Sequence, residues 1–406
     1  MTNTNLKNLF RICPICSSTT GEVLYTQHFI LPDKYILPSS HDVVCCNKCG
    51  FVFADVNSTQ KDYDTFYAEL SKYEDKKTST GGSFNSWDIE RFERVSHDIS
   101  KIILDKESKI LDIGCANGGL LLALKNEGYK NLVGMDPSPV CTLNVQREGL
   151  KGICAGIFSD AFDSVEQDYN CVILSHVLEH VYDLKKSVMK IAEKLINGGI
   201  LYVEVLDATR YPDFYKVPYY YFDCEHINHF SEKSLDNLLS QFGFESVTYQ
   251  RKDISVSINE LYPAIYVVYR KTGKKRIDNR FIFDSFVRHS VIKYVELSKN
   301  DTLYTELDKV AKSKEKVIVW GAGQNTMRFL SNTPLNKCNI VAFVDNDSKK
   351  QGLMLGNIVI HSPEIIKGHN GPIIVSSALH SDEIVEEIRS IGLKNKVIVL
   401  RSNIMI

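Results

Sequence analysis

The sequence predicts an α/β protein, in which a Rossmann-like central sheet follows a small metal-held ribbon and precedes a second Rossmann-like α/β unit. Three observations lead there. Residues 109–119, KILDIGCANGG, run an apolar strand into a glycine-rich turn, and the helical LLLALKNEGY comes next. The same strand, turn and helix order restarts at KVIVWGAGQNTMRFL, residues 316–330. Ahead of both, the pair CPIC from Cys13 is answered by CNKC from Cys46. At 406 residues the chain exceeds one ordinary core, so several domains are expected. They are read as a ribbon over 1–60, lid or connecting helices over 61–108 and a central domain over 109–273. A helical connector over 274–315 and a C-terminal domain over 316–406 complete the chain.

A composition of 44% hydrophobic and 24% charged residues is that of a soluble globular protein. With a net charge of −2 and no long run of Lys or Arg, nucleic acid is not expected as the main partner. The start, MTNTNLKNLFRICP, lacks the apolar core of a signal peptide, and no stretch is apolar enough to span a membrane. A cytoplasmic location is the expectation. Of eleven cysteines, five fall within 13–49. Cys115, Cys141, Cys154, Cys171, Cys224 and Cys338 read as small core residues of a reducing compartment.

In each C-x-x-C pair a tight turn aims two thiolates at one ion, and two such turns complete a tetrahedron. Cys13, Cys16, Cys46 and Cys49 are therefore the expected zinc ligands, with Cys45 a spare whose use would spoil the second pair's spacing. A disulfide set does not suit a reducing compartment, and a redox pair belongs at a helix start inside a βαβ unit. All four positions are filled by protein, so the ion is expected to be structural, stapling a segment too short to build its own core.

In the central domain the glycines at 114, 118 and 119 let the backbone approach a ligand at the strand's carboxyl end, where open α/β sheets bind. The next strand ends in Asp136, placed to accept both hydroxyls of a ribose. By itself this pattern serves a dinucleotide equally well. The form DIGCANG, followed by AGIFSD, NCVILSHVLEHVYD, GGILYVEV and EHINHFSEKSLDNLLSQFGF, resembles class I S-adenosylmethionine (SAM) methyltransferases over about 109–270. The resemblance implies that Asp112, Gly114, Cys115, Asn117 and Gly118 hold the methionine part of the cofactor and that Asp136 holds the ribose. Ile157 and Phe158 would flank the adenine, and Ser175 and His176 would lie near the cofactor.

Methyl transfer from a sulfonium is an in-line displacement, so the protein must place the acceptor, exclude water and usually remove the acceptor's proton. Candidates for the proton are His180 after the fourth strand and Glu225, His226 and His229 after the aromatic run YPDFYKVPYYYFD. Ahead of the domain, the stretch with Tyr63, Tyr67, Tyr73 and glycines at 81–82 reads either as a lid over the acceptor or as an amphipathic packing helix. In the C-terminal unit, Gly321, Gly323, Gln324 and Asn325 form a turn suited to a diphosphate. A purely architectural role for that turn is the alternative.

Taken in order, the three parts resemble the sugar C-methyltransferases that act on nucleotide-linked 4-keto deoxysugars. That resemblance implies a structural zinc, a nucleotide-sugar site helped by both flanking domains, and a set of His180, Glu225, His226 and a lid tyrosine at Tyr73 handling the acceptor's proton. Asp223 stands where that family has a tyrosine, and Tyr221 is displaced by two positions; WGAGQNT also lacks the family's Gly–Lys form. Removing a proton beside a ketone needs a base and enolate stabilisation, which His226 and Tyr221 would share. O-methylation of a sugar or glycan hydroxyl, with His180 acting alone, is the alternative expectation. An RNA methyltransferase would need a basic face, and an inactive binding module would bind SAM without turnover.

Overall fold

The computed structural model describes residues 6–33, 35–69, 74, 84–257, 260–274 and 280–401. Two compact units emerge, the first from Met1–Glu22, Val44–Arg210 and Ile227–His289, the second from Val23–Val43, Tyr211–His226 and Ser290–Ile406. Where the sequence suggests boundaries in simple succession, two short segments thus fold with the C-terminal unit. Backbone bonding explains the first of them: Ile30 N–H donates to the Met327 carbonyl at 2.9 Å, and Pro32 bridges Leu355. Aromatic and cationic contacts fix the second. Tyr219 stacks on Tyr25 at 4.2 Å between ring centroids, and the Arg328 guanidinium donates to the Tyr220 carbonyl at 3.2 Å.

The N-terminal strands β1 (Leu6–Asn8), β2 (Thr20–His28), β3 (Ser40–Cys46) and β4 (Val52–Asp55) form a sheet closed by β10 (Asn228–His229), in the order β1-β2-β3-β4-β10. The central sheet takes β5 (Lys109–Ile113), β6 (Asn131–Asp136), β7 (Lys151–Cys154), β8 (Tyr169–Ser175) and β9 (Leu195–Leu206). It is completed by β11 (Phe244–Ser257) and β12 (Glu260–Lys271), in the order β11-β12-β9-β8-β5-β6-β7. Only β12 runs against its neighbours. This is the Rossmann-like sheet expected of a class I methyltransferase. The strand order reverses between β5 and β8, which opens a crevice at their carboxyl ends.

Local chemistry explains the helices on this sheet. Asn85 caps the helix Ser86–Ser100 by accepting from the Asp88 amide, and Ser138 caps Pro139–Arg147 with proline in the first turn. Leu120, Leu121 and Leu124 sit at helical spacing and pack with Ile110, Ile173 and Val268 into the core. Within NCVILSHVLEHVYD, β8 ends at Ser175 and Leu178–His180 form a 3₁₀ turn, so His176 and His180 stand just beyond the strand. His176 has φ 56°, and that left-handed residue breaks the strand. Cys154 is exposed, not a core residue, because it lies at the end of edge strand β7.

In the second unit, β13 (Lys316–Trp320), β14 (Asn339–Val344), β15 (Met354–Leu355), β16 (Ile358–His361), β17 (Ile373–Val375) and β18 (Val397–Val399) order as β15-β16-β14-β13-β17-β18. All are parallel except β15. The order reverses between β13 and β17, again at a glycine-rich turn. Trp320, Ile318, Val344, Ile373 and Val375 form its core. Among the described residues, no helix is long and apolar enough to cross a membrane.

Candidate functional site

The crevice of the central sheet is walled by the turn after β5 and the turn after β8. Gly114 and Gly118 have φ of 75° and 82°. A Cβ on Gly114 would lie 2.6 Å from Val177 Cγ2, and one on Gly119 would lie 2.2 Å from the Phe92 ring. The glycines are thus required by backbone shape and by close packing together. Asp136 braces the turn: its Oδ2 accepts from the Ala116 amide at 3.0 Å and its Oδ1 from the Ser138 amide at 2.9 Å. Burial pushes its carboxyl up to about 6, opposed by those two amides. Asp112, buried at the end of β5, is pushed up to about 8 by burial and by the charge of Asp136.

Of the other residues expected at the cofactor, Cys115 and Ile157 are buried and Phe158 is half-buried, with Lys186 Nζ 5.7 Å from its ring centroid. Asn117 is buried too, and its Oδ1 accepts from Asn144 at 2.8 Å. Ser175 ends β8, paired in register with Glu204 of β9.

His176 lies at the centre of a charge network that sequence reasoning did not anticipate. Its Nδ1 is 3.0 Å from Glu179 Oε1 and its Nε2 is 3.5 Å from Glu204 Oε1. Burial disfavours its charge, but the two carboxylates outweigh burial and lift the imidazole to about 9. Lys252 of β11 joins Glu204 at 3.0 Å and Asp98 at 2.9 Å. Glu179 Oε1 also accepts from the Leu206 amide at 2.9 Å. Glu179 stands inside the quoted SHVLEHV, and Glu204 inside LYVEV, but neither spacing reveals that the carboxylates meet one imidazole.

His180 follows directly, and its Nδ1 is in hydrogen-bond contact with Tyr67 Oη at 2.7 Å. Tyr67 belongs to the helix Gln60–Glu69, whose Tyr63 and Phe66 are buried. The amphipathic packing reading therefore describes that helix, while Tyr67 reaches a candidate catalytic residue. Tyr73 and the glycines at 81–82 lie outside the described residues. His229 is buried in β10.

Arg11, two residues before the first cysteine, is the other unanticipated residue. Its buried guanidinium donates to the carbonyls of Ile227 at 3.1 Å, Val181 at 3.2 Å and Tyr182, and to Asn228 Oδ1 at 2.9 Å. It thereby ties the start of the ribbon to the turn that carries His180. Burial lowers its pKa to about 10.

The four expected ligand cysteines are buried, and their sulfurs all lie within 4.8 Å of one another. Cys13 and Cys49 are 3.6 Å apart and Cys16 and Cys46 3.3 Å. Zinc–sulfur bonds of about 2.3 Å place tetrahedral sulfurs ~3.8 Å apart, so the set fits zinc. Cys45 is turned away, toward the carbonyls of Cys46 and Gly50. Gly50, at φ 75°, leaves room for Asp284, whose amide donates to the Cys49 carbonyl at 3.0 Å.

The second unit brings together the expected Glu225–His226 pair and the turn of Gly321, Gly323, Gln324 and Asn325. Gln324 Nε2 donates to Glu225 Oε1 at 3.3 Å and to Tyr35 Oη at 2.8 Å, while Cys224 Sγ donates to Gln324 Oε1 at 2.9 Å. Gly323 precedes the helix Gln324–Asn332, Gly321 has φ 103°, and Asn325 donates to the Ser376 carbonyl at 2.8 Å. Asp345 repeats the bracing seen at Asp136, accepting from the Ala322 amide at 2.8 Å and the Asp347 amide at 2.9 Å. Tyr221, expected to share the handling of the acceptor's proton, is buried against Tyr211 and donates to the Phe214 carbonyl at 2.8 Å.

With this geometry in place, comparison with known proteins finds a family match in each α/β unit. Residues 87–249 match the family described as a methyltransferase domain, and residues 313–399 match the one described as C2185-like, N-terminal. A ubiquinone biosynthesis O-methyltransferase of Rickettsia prowazekii is 26% identical over 128 residues, which are 30% of this chain and 47% of that relative. Its counterpart in Rickettsia conorii is 24% identical over 125 residues, covering 29% of this chain and 40% of the relative. The chain thus spans less than half the length of these relatives. A SAM-dependent methyltransferase structure from Methanosarcina mazei is 18% identical, with a TM-score of 0.36, covering 43% of this chain and 96% of that one. Another, from Clostridium acetobutylicum, is 13% identical with a TM-score of 0.36, covering 45% and 92%.

Proposed function

We propose that this protein transfers the methyl group of SAM to a nucleotide-linked sugar, at a carbon beside a ketone, and holds one structural zinc on Cys13, Cys16, Cys46 and Cys49. The observation that carries the reading is the glycine turn at 114–118, closed against Val177 and braced by Asp136, within residues that match a methyltransferase domain. When bound, SAM supplies an electrophilic methyl on a sulfonium. Asp136 then accepts the ribose hydroxyls, the turn amides and Asp112 receive the methionine part, and Ile157 and Phe158 flank the adenine. His180, placed by Tyr67, is one candidate base for the acceptor's proton, and the Glu225–His226 pair is another. The sugar and the carbon position rest on the resemblance to sugar C-methyltransferases.

O-methyl transfer is the second reading. It is favoured by the names of the Rickettsia relatives and by the His180–Tyr67 contact, since a single base suffices for a hydroxyl. Incubation with SAM and a panel of nucleotide sugars, followed by mass spectrometry, separates the readings. A product that loses its new methyl under ether-cleaving conditions rules out C-transfer, and no heat with SAM or its demethylated product in calorimetry rules out both.

The Asp136 carboxyl gives a pH test. Its folded value of about 6 lies above the ordinary 3.8, so folding favours its protonated form. Ribose hydroxyls donate to the ionised form, so SAM affinity is expected to fall as pH drops through about 6. Calorimetry at pH 5 and pH 7.5 should show binding weaker by roughly tenfold at the lower pH, one pH unit below the carboxyl's own value. Equal affinities would remove Asp136 from the ribose.

A further inference from the structure

We infer that Asp223, and not Glu225, is the residue that orients His226 as a base, a role that rests on the methyl-transfer reading above. The carboxylate is clamped at one end. Its Oδ1 accepts from the amides of Glu225 at 2.9 Å and His226 at 2.6 Å, closing a tight turn of the backbone around it. This fixes Oδ2 opposite the imidazole, 3.0 Å from His226 Nδ1. A carboxylate there accepts the Nδ1 proton, which leaves the lone pair of the neutral ring on Nε2. Glu225 is engaged elsewhere, with Gln324 at 3.3 Å.

The surroundings suit a charged Asp223. It is 8% exposed, and the guanidinium of buried Arg328, from another segment of the unit, supplies a positive charge that favours it, while His41, which burial lowers to about 4, and Tyr35 face it uncharged. In the proton step, Nε2 of His226 forms a bond to the proton leaving the acceptor's O–H or C–H. The electron pair of that bond stays on the acceptor's oxygen or carbon, and the proton later passes from the imidazolium to solvent. Asp223 keeps its negative charge throughout and stabilises the imidazolium. It is a positioning residue, filling by another chemistry the place where the sugar C-methyltransferases carry a tyrosine.

Nitrogen NMR of the full chain labelled at histidine, with the His226 signals assigned by their loss in His226→Gln, tests this without any acceptor. The expected result is a neutral His226 ring protonated at Nδ1 in the native protein. Asp223→Asn should move the proton to Nε2, because the amide can turn its NH2 toward Nδ1, whereas Glu225→Gln should leave it in place. A native ring protonated at Nε2, or a proton moved by Glu225→Gln and not by Asp223→Asn, overturns the inference. The native spectrum decides even where Asp223→Asn does not fold. With an acceptor in hand, Asp223→Asn is expected to lower kcat by about 10³-fold with little change in KM. An unchanged kcat overturns the inference as well. Absence of SAM binding in the native chain defeats the methyl-transfer reading and leaves the tautomer result standing, so the two failures are told apart.

Discussion

Gly114→Ala is expected to weaken SAM binding by on the order of 100-fold while the chain stays folded. Two costs coincide. At φ 75° a non-glycine residue costs roughly 1–2 kcal/mol, and the new methyl would sit 2.6 Å from Val177 Cγ2. Valine is branched at Cβ and cannot swing aside cheaply, so the turn itself must move. A shift there pulls the Ala116 amide from Asp136 and displaces the groups meant to receive the cofactor. A loss near 3 kcal/mol corresponds to about 100-fold in affinity. The control is Gly198→Ala: it has a similar φ of 80°, but nothing lies within 4 Å of its added Cβ. This second variant should cost comparable backbone strain yet bind SAM as the native chain does. Equal loss in both, measured by calorimetry, would assign the effect to general destabilisation and remove the turn from the cofactor site.

Cys46→Ser is expected to abolish zinc binding and lower the melting temperature by about 10 °C, from a loss of several kcal/mol. Four buried sulfurs crowded together are unfavourable without an ion, because their lone pairs face one another and water cannot reach them. Cys45→Ser changes the adjacent residue, whose sulfur points away from the cluster toward the Cys46 and Gly50 carbonyls. It should keep one zinc per chain by atomic absorption. Retention of zinc in Cys46→Ser, or its loss in Cys45→Ser, would contradict the ligand set. Because Arg11 links the start of this ribbon to the carbonyls of Val181 and Tyr182, hydrogen exchange at 178–182 should also rise in Cys46→Ser. That would make the ribbon a support for the His180 turn as well as a folding staple.

The parts legible in the sequence are those whose chemistry is local. A strand that meets glycines at 114 and 118 announces a turn, since positive φ is a property of one residue. Two cysteines separated by two residues announce a ligand pair, since one turn brings their sulfurs together. Asp136 was legible as an acid at a strand end, although its brace to the Ala116 amide was not. The His176 network was hidden because its members come from the turn after β8, from β9, from β11 and from the helix Ser86–Ser100, and no spacing along the chain records that meeting. Arg11 was hidden for a different reason. A lone arginine in a polar start reads as surface, yet here it is 3% exposed and donates to backbone carbonyls 170 residues away and more.

By itself the sequence determined the two α/β units, the turns that open their crevices and the four-sulfur cluster, because each follows from residue chemistry over a few positions. Only the tertiary structure decided which carboxylate meets which imidazole: Glu179 and Glu204 at His176, and Asp223 at His226. Three acids and two histidines permit several pairings in a chain. Strand register and the torsions of two turns select among them, and these are set by packing across the whole sheet.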